Sequence, residues 1–151
     1  MQMPAELQAQ PRYAGFWTRV KATLLDFLWQ VPLGAGLGYI ILGRAYFNPN
    51  TGWYYEAVDA LTGVIVPTAA ILAFWFYRQA TPGKLLCGIK IVDAITLGRP
   101  EPWQWLLRAI GYIPATLPWG LGLLWVAFDK RHQGWHDKLA RTVVIYADDD
   151  I

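Results

Sequence analysis

Apolar residues gather in three long runs separated by short polar stretches. The first covers roughly 14–43, longer than the ~20 residues that cross a bilayer core. Its opening, FWTRVKATLLDFLWQ (16–30), predicts a helix with Arg19 and Lys21 near the start and one carboxylate, Asp26, among apolar neighbours. Pro32, with Gly34, Gly36 and Gly38 after it, predicts a kink or a loosening there. Gly34 and Gly38 form a small-xxx-small pair suited to close helix approach. The second run, roughly 57–77, is about one span long and holds Pro67 near its middle. The third, PWQWLLRAIGYIPATLPWGLGLLWVAF (102–128), is broken by Pro114, Pro118, Gly120 and Gly122. It reads either as one kinked span or as two short helices joined near PATLPWGLG. Its halves, 102–113 and 119–128, are short for full spans, which favours a re-entrant hairpin.

The segments between are polar. Residues 44–56 contain the turn signals NPN and TG. Within 78–100, IKIVDAITL has the β-branched content of a short strand, closed by Gly98 and Pro100, and TVVIY in the tail is its candidate partner. The expected fold class is therefore an all-α integral membrane protein. It has two full transmembrane helices, the Pro/Gly-broken third region and a small cytosolic strand-like element. The expected domains are a polar tail over 1–12, one transmembrane domain over 13–147 and an acidic end at 148–151.

Composition agrees with that pattern. The chain is 55% hydrophobic and only 16% charged, against ~25% charged in soluble domains. Nine Trp and eight Tyr suit an apolar body meeting a wet boundary. The net charge of +2 comes from scattered clusters, so nucleic acid is not an expected partner. The lone Cys87 forbids an internal disulfide and reads as a packing thiol. No small-residue cleavage site follows the first run, so that run is expected to remain as an anchor. Arg12, Arg19 and Lys21 precede the first span, and only Arg44 falls in loop 44–56. Four cations fall in each of 78–100 and 129–151. The positive-inside rule then makes the N-terminus, segment 78–100 and the tail cytoplasmic, with a bacterial inner membrane as the expected location.

Asp26 is the question this arrangement raises. A helix entering the bilayer near residue 15 carries it ~16 Å in, close to the midplane of a ~30 Å core. A lipid-facing carboxylate there costs several kcal/mol, so Asp26 needs a partner or a watered interior. Arg19 lies seven residues earlier on the same stripe but ~10.5 Å away along the axis, so each is expected to find its partner elsewhere or through a water. Two readings of Asp26 stay open: an interhelical hydrogen bond that fixes packing, and a proton or cation site. Thr62 and Thr68 are candidate oxygen donors for either. Arg108 is a candidate partner for Asp26 or for a tail aspartate, and Asp129 and Asp137 lie just past the third run. His132 and His136, four apart, would share a helix face; metal binding wants more ligands, so helix-surface or headgroup contacts are expected. Glu56 and Asp59 read as a solvated helix start or an external cation entrance. TPGK (81–84) reads as a tight turn or helix start with Lys84 at the lipid surface, since the spacing of a phosphate loop is missing. The chain has no serine and no nucleotide or metalloprotease signature. No enzyme activity and no cofactor are expected.

Taken together, YAGFWTRVKATLLD (13–26), QATPGKLLCGIKIVD (79–93), LLRAI (106–110) and FDKRHQGWHDKLARTVVI (128–145) resemble the RDD family of small membrane proteins. Arg19 and Asp26 match its first-helix arginine and aspartate, and Asp137 matches its second aspartate. The departure is Ala140-Arg141 before Thr142, where many members carry a small residue such as Gly. Some members are linked to exchange of Na⁺ or other monovalent cations for protons. The resemblance thus implies Asp26 as the ion-binding carboxylate in a charge network of Arg19, Arg108, Asp129 and Asp137. It equally admits a non-transporting membrane adaptor or assembly factor, in which those residues are structural. So few spans enclose no pathway alone, so a homo-oligomer or a partner membrane protein is expected beside the lipid bilayer.

Overall fold

A computed structural model describes residues 11–48 and 52–147. Most of the polar tail, most of the NPN turn and the acidic end lie outside the described residues. The first apolar run forms one helix, α1 (Phe16–Leu42), continuous through Pro32. A short 3₁₀ turn, Gly43–Phe47, follows it. The second run begins as α2 (Trp53–Ala60) and passes through a π-helical stretch, Leu61–Ile65, into α3 (Val66–Arg78). The π stretch ends two residues before Pro67, which has no N–H to offer the preceding turn. Phe16–Phe47 and Trp53–Arg78 are long and apolar enough to cross a membrane.

The small-residue pair in α1 does what its spacing suggests. A Cβ on Gly34 would stand 2.9 Å from the Thr62 carbonyl oxygen, and one on Gly38 would overlap the Tyr46 ring. Thr62 itself does not serve Asp26, contrary to the expectation from sequence. Its hydroxyl donates to the Val58 carbonyl within its own helix at 2.9 Å, the usual fate of a buried helical threonine.

The third run forms α5 (Pro102–Thr116) and α6 (Leu121–Leu124) with a 3₁₀ turn, Trp125–Ala127. The two arms meet at 112°. The polar segments make a cap. It comprises α4 (Pro82–Leu86), β1 (Ile89–Asp93), α7 (Trp135–Leu139) and β2 (Thr142–Tyr146). β1 and β2 pair antiparallel, with Ile89 opposite Tyr146 and Asp93 opposite Thr142. This is the pairing that two β-branched runs of matching length predict. The chain just before α1 joins the same sheet: Ala14 N–H donates to the Val144 carbonyl at 2.8 Å, and Tyr146 N–H to the Arg12 carbonyl at 3.1 Å. Ile89, Ile91, Val92, Val143, Val144 and Ile145 are all buried. Cys87 packs at the edge of this core with Ile71 and Tyr112, as a packing thiol does.

Gln104 holds the cap to α5. Its Oε1 accepts from the Glu101 N–H at 2.7 Å, closing a capping box at the helix start. Its Nε2 lies 2.8 Å from Asp93 Oδ2 and 3.0 Å from the Ala140 carbonyl.

Arg141 has φ +53°. That backbone region costs a non-glycine residue ~1–2 kcal/mol, while glycine adds back ~0.4–1 kcal/mol of chain entropy. Arg141→Gly is therefore predicted to raise the thermal unfolding midpoint by a small amount, and Arg141→Val to lower it. Unfolding of the purified protein in detergent checks both; a glycine variant that melts earlier than the parent contradicts the strain.

Candidate functional site

Two polar centres lie where the cap meets the helices. The first is built on Asp26, which is 5% exposed. Its Oδ2 accepts from the Thr81 hydroxyl at 2.5 Å. Its Oδ1 accepts from the Gly83 N–H at 2.7 Å and the Trp29 indole N–H at 3.1 Å. Thr81 and Pro82 are a helix start by local chemistry: threonine caps and proline fills the first turn. That start is turned toward α1, and Asp26 satisfies its amide and hydroxyl donors. The approach is close: a Cβ on Gly83 would lie 2.1 Å from the Ala22 carbonyl oxygen and 2.9 Å from Asp26 Cγ. Only glycine fits there.

This corrects two expectations. The 79–86 segment packs along the second and third turns of α1, so Asp26 meets the cap. Lys84 is not at a lipid surface but only 8% exposed, with its ammonium 5.9 Å from the centre of the Trp75 ring. Burial first, and then the Arg108 charge, pulls its pKa down to about 8.

The second centre is built on Asp137, which is fully buried. Arg19 Nη1 donates to its Oδ2 at 2.6 Å. Arg108 Nη1 donates to its Oδ1, and the Gly134 N–H to its Oδ2 at 3.0 Å. The rest of Arg19 is also used: Nη2 donates to the His132 carbonyl at 2.6 Å and Nε to the Ala14 carbonyl at 3.1 Å. Arg19 is thus held by protein rather than reaching for headgroups. Arg108 Nη1 also donates to the Thr142 hydroxyl at 2.7 Å. Burial alone would raise the Asp137 pKa; the two guanidiniums overturn that and hold it well below the usual carboxylate range.

His136 completes this centre. Its ring stacks on Tyr112 with centroids 4.1 Å apart, and Tyr112 stacks on Trp75 at 5.8 Å. The expected shared face with His132 does not form, because His132 precedes α7 and has φ +50°. His136 is buried, not at a helix surface or a headgroup. Burial lowers its pKa to about 3, with Arg108 and Arg19 adding to what Asp137 partly offsets, so it is neutral near pH 7.

The sequence-derived set thus divides. Arg19, Arg108 and Asp137 come together, whereas Asp26 has separate partners. Asp129 stands apart and is partly buried, its Oδ1 2.5 Å from Lys138 Nζ and its Oδ2 accepting from the Arg131 and Gln133 N–H groups. Thr81, Gly83, Gln104 and Thr142 do as much polar work, and sequence reasoning missed them as site residues. The Thr-Pro-Gly helix start was the available signal for the first two.

Two cavities border the centres. One, about 310 Å³, is lined by Arg19, Lys84, Arg108, Tyr112 and His136 with apolar walls. The other, about 330 Å³, is lined by Thr23, Asp26, Gln30, Thr68, Thr81 and Lys84 among apolar residues.

Comparison with known proteins gives a family. The model of the RDD family matches residues 13–141. A Rickettsia prowazekii protein named "Uncharacterized protein RP437" is 38% identical over 107 residues, covering 71% of this chain and 57% of that protein; the chain thus spans little more than half the length of that relative. From Bacillus subtilis, "Uncharacterized protein YckC" is 30% identical over 89% of this chain and 85% of its own length. "Uncharacterized membrane protein YteJ" is 29% identical over 89% of this chain and 81% of its own length. No solved structure matches.

The two carboxylates of the tail should differ sharply. Asp137→Asn leaves two buried guanidiniums facing one another and is predicted to cost ~3–5 kcal/mol. Asp129→Asn removes an ion pair whose lysine is 45% exposed and leaves an amide oxygen to cap the same N–H groups, so it is predicted to cost less than ~1 kcal/mol. Equal losses in thermal unfolding would contradict the geometry. His136 sets a pH dependence. An unfolded chain takes up a proton near pH 6.5 that the folded protein refuses until about pH 3, so stability falls as pH drops below about 6.5, by at most ~1.4 kcal/mol per unit. Melting midpoints between pH 7 and pH 5 should slope downward in the parent and flatten in His136→Phe. An unchanged slope in that variant would contradict the assignment.

Proposed function

We propose that this chain, which belongs to the RDD family, is a non-transporting membrane adaptor. Its buried Arg and Asp residues fix the shape of a cap at one membrane face, and the cap takes a partner membrane protein or another copy of the chain. One observation carries this reading: both oxygens of Asp26 are already held by protein donors. Three donors at 2.5–3.1 Å occupy its two oxygens, and they come from a turn of the cap and from its own helix. A carboxylate that alternates between proton and cation needs oxygens that are free to change partners. Here such a change would detach α4 from α1.

Orientation follows the Lys/Arg asymmetry. The cap and N-terminus lie on the cytoplasmic side of a bacterial inner membrane, with the connection between the two spans outside. Two observations support a third region that returns to the side it entered from: the 112° bend between its arms, and the pairing of β1 with β2, which brackets it in the chain.

A second reading keeps one specific observation. Asp26, Thr68, Thr81 and Lys84 line a common cavity, which is a setting for monovalent cation–proton exchange at Asp26. Flux separates the two. In liposomes loaded with a pH dye, the adaptor reading predicts no proton movement after Na⁺, Li⁺ or K⁺ pulses. It also predicts that Asp26→Asn speeds hydrogen exchange of the Gly83 amide and its neighbours. Cation-driven flux in the parent, lost in a folded Asp26→Asn variant, would replace the adaptor with the exchanger.

A further inference from the structure

The 310 Å³ cavity beside Asp137 differs from its neighbour in the sign of its lining. Arg19, Lys84 and Arg108 contribute to it, and no carboxylate does. Arg108 is fully buried, yet it uses only one of its nitrogens. Nη1 serves both Asp137 and Thr142, while Nε and Nη2 make no well-aligned hydrogen bond among the described residues, although the Tyr112 hydroxyl lies close to the guanidinium. Buried guanidinium N–H groups without acceptors are costly. Moreover, Nε with Nη2 is the edge that grips an oxyanion with two parallel hydrogen bonds. His136, which lines the same cavity, leaves Nδ1 without a partner as well.

Charge counting points the same way. Around the cavity and its supports stand three cations, Arg19, Lys84 and Arg108, against two carboxylates, Asp26 and Asp137. The surplus is one positive charge, buried at a membrane-facing site. A single phosphodiester anion balances it.

The walls say how the anion is carried. Phe16, Val20, Leu24, Leu123, Leu124 and Val126 line the rest of the cavity. Leu24 is 61% exposed and Leu124 45%, on helices whose outer faces are apolar. The cavity is thus a cationic floor reached between apolar walls of α1 and α6, within the ~300–1,000 Å³ range of ligand sites. A free phosphate leaves those walls unused, whereas a phospholipid fills floor and walls together. We infer that this cavity binds the headgroup phosphate of an anionic phospholipid, with the Nε–Nη2 edge of Arg108 gripping the phosphate, Lys84 and Arg19 flanking it, and an acyl chain leaving past Leu24 and Leu124.

The inference goes beyond the adaptor reading and stands or falls separately, since it is read by lipid retention and not by ion flux. The full chain in a neutral detergent is offered phosphatidylglycerol, phosphatidylcholine or inorganic phosphate, and bound species are counted by native mass spectrometry beside thermal unfolding. The expected result is one retained phosphatidylglycerol, with a raised melting midpoint. Phosphatidylcholine carries the same phosphate but adds a choline cation that leaves the positive surplus unbalanced beside Arg19 and Lys84, so it is held roughly tenfold more weakly, and inorganic phosphate alone gives no shift. Leu124→Trp, which narrows the mouth and leaves every charge in place, and Lys84→Gln should each weaken retention to a similar degree. Equal retention of the two lipids, or retention unchanged in both variants, would overturn the site. A shift with inorganic phosphate as large as with phosphatidylglycerol would overturn the lipid as its occupant in favour of the free anion.

Discussion

One carboxylate clamped by two arginines organises this protein. Asp137 lies on α7 in the cap, Arg19 on α1 and Arg108 on α5. Removing three charges from water costs several kcal/mol per ion, repaid only where geometry is good and the remaining hydrogen-bonding groups are satisfied. Arg19 meets that condition fully, through Ala14 and His132, and Asp137 does so with help from Gly134. The buried strands lie against this ionic junction: Thr142, the first residue of β2, is fully buried and its hydroxyl oxygen accepts from Arg108. The order of the cap therefore depends on charge placement as much as on its apolar core.

The two polar centres use opposite designs. Asp26 is closed, with each oxygen occupied by a donor from the turn at Thr81–Gly83 or from Trp29. Arg108 is open on one edge. A closed carboxylate fixes a contact between cap and helix, while an open guanidinium leaves capacity for something from outside the chain. The same stripe of α1 carries Arg19 and Asp26, one helping each centre, which is why a seven-residue spacing matters although the two side chains never touch.

Much of this was legible in the sequence. Two apolar runs of span length became two long helices, and the Pro/Gly-broken third became a sharply bent pair. IKIV and TVVIY found each other because each had the β-branched content and length the other needed. The polar partnerships were less legible, because hydrogen bonds across 55 residues, such as Thr81 to Asp26, leave no periodic trace. Lys84 departs from a general tendency: a lysine near a membrane usually extends its ammonium to water, but here Trp75 and the folded-back turn enclose it. The His132–His136 spacing assumed a helix through both. The left-handed residue at His132 breaks that assumption, and the π stretch before Pro67 was equally invisible to a 3.6-residue period.

The ionic junction makes one sign-specific demand. In the parent, Arg19→Met removes a partner from Asp137 and should lower the melting midpoint. In an Asp137→Asn background the same substitution removes one of two unbalanced buried cations, so it should raise the midpoint. Thermal unfolding of the parent, the two single variants and the double variant measures this directly. A double variant more stable than Asp137→Asn alone is the predicted result; losses that simply add would mean that the two arginines do not share that carboxylate.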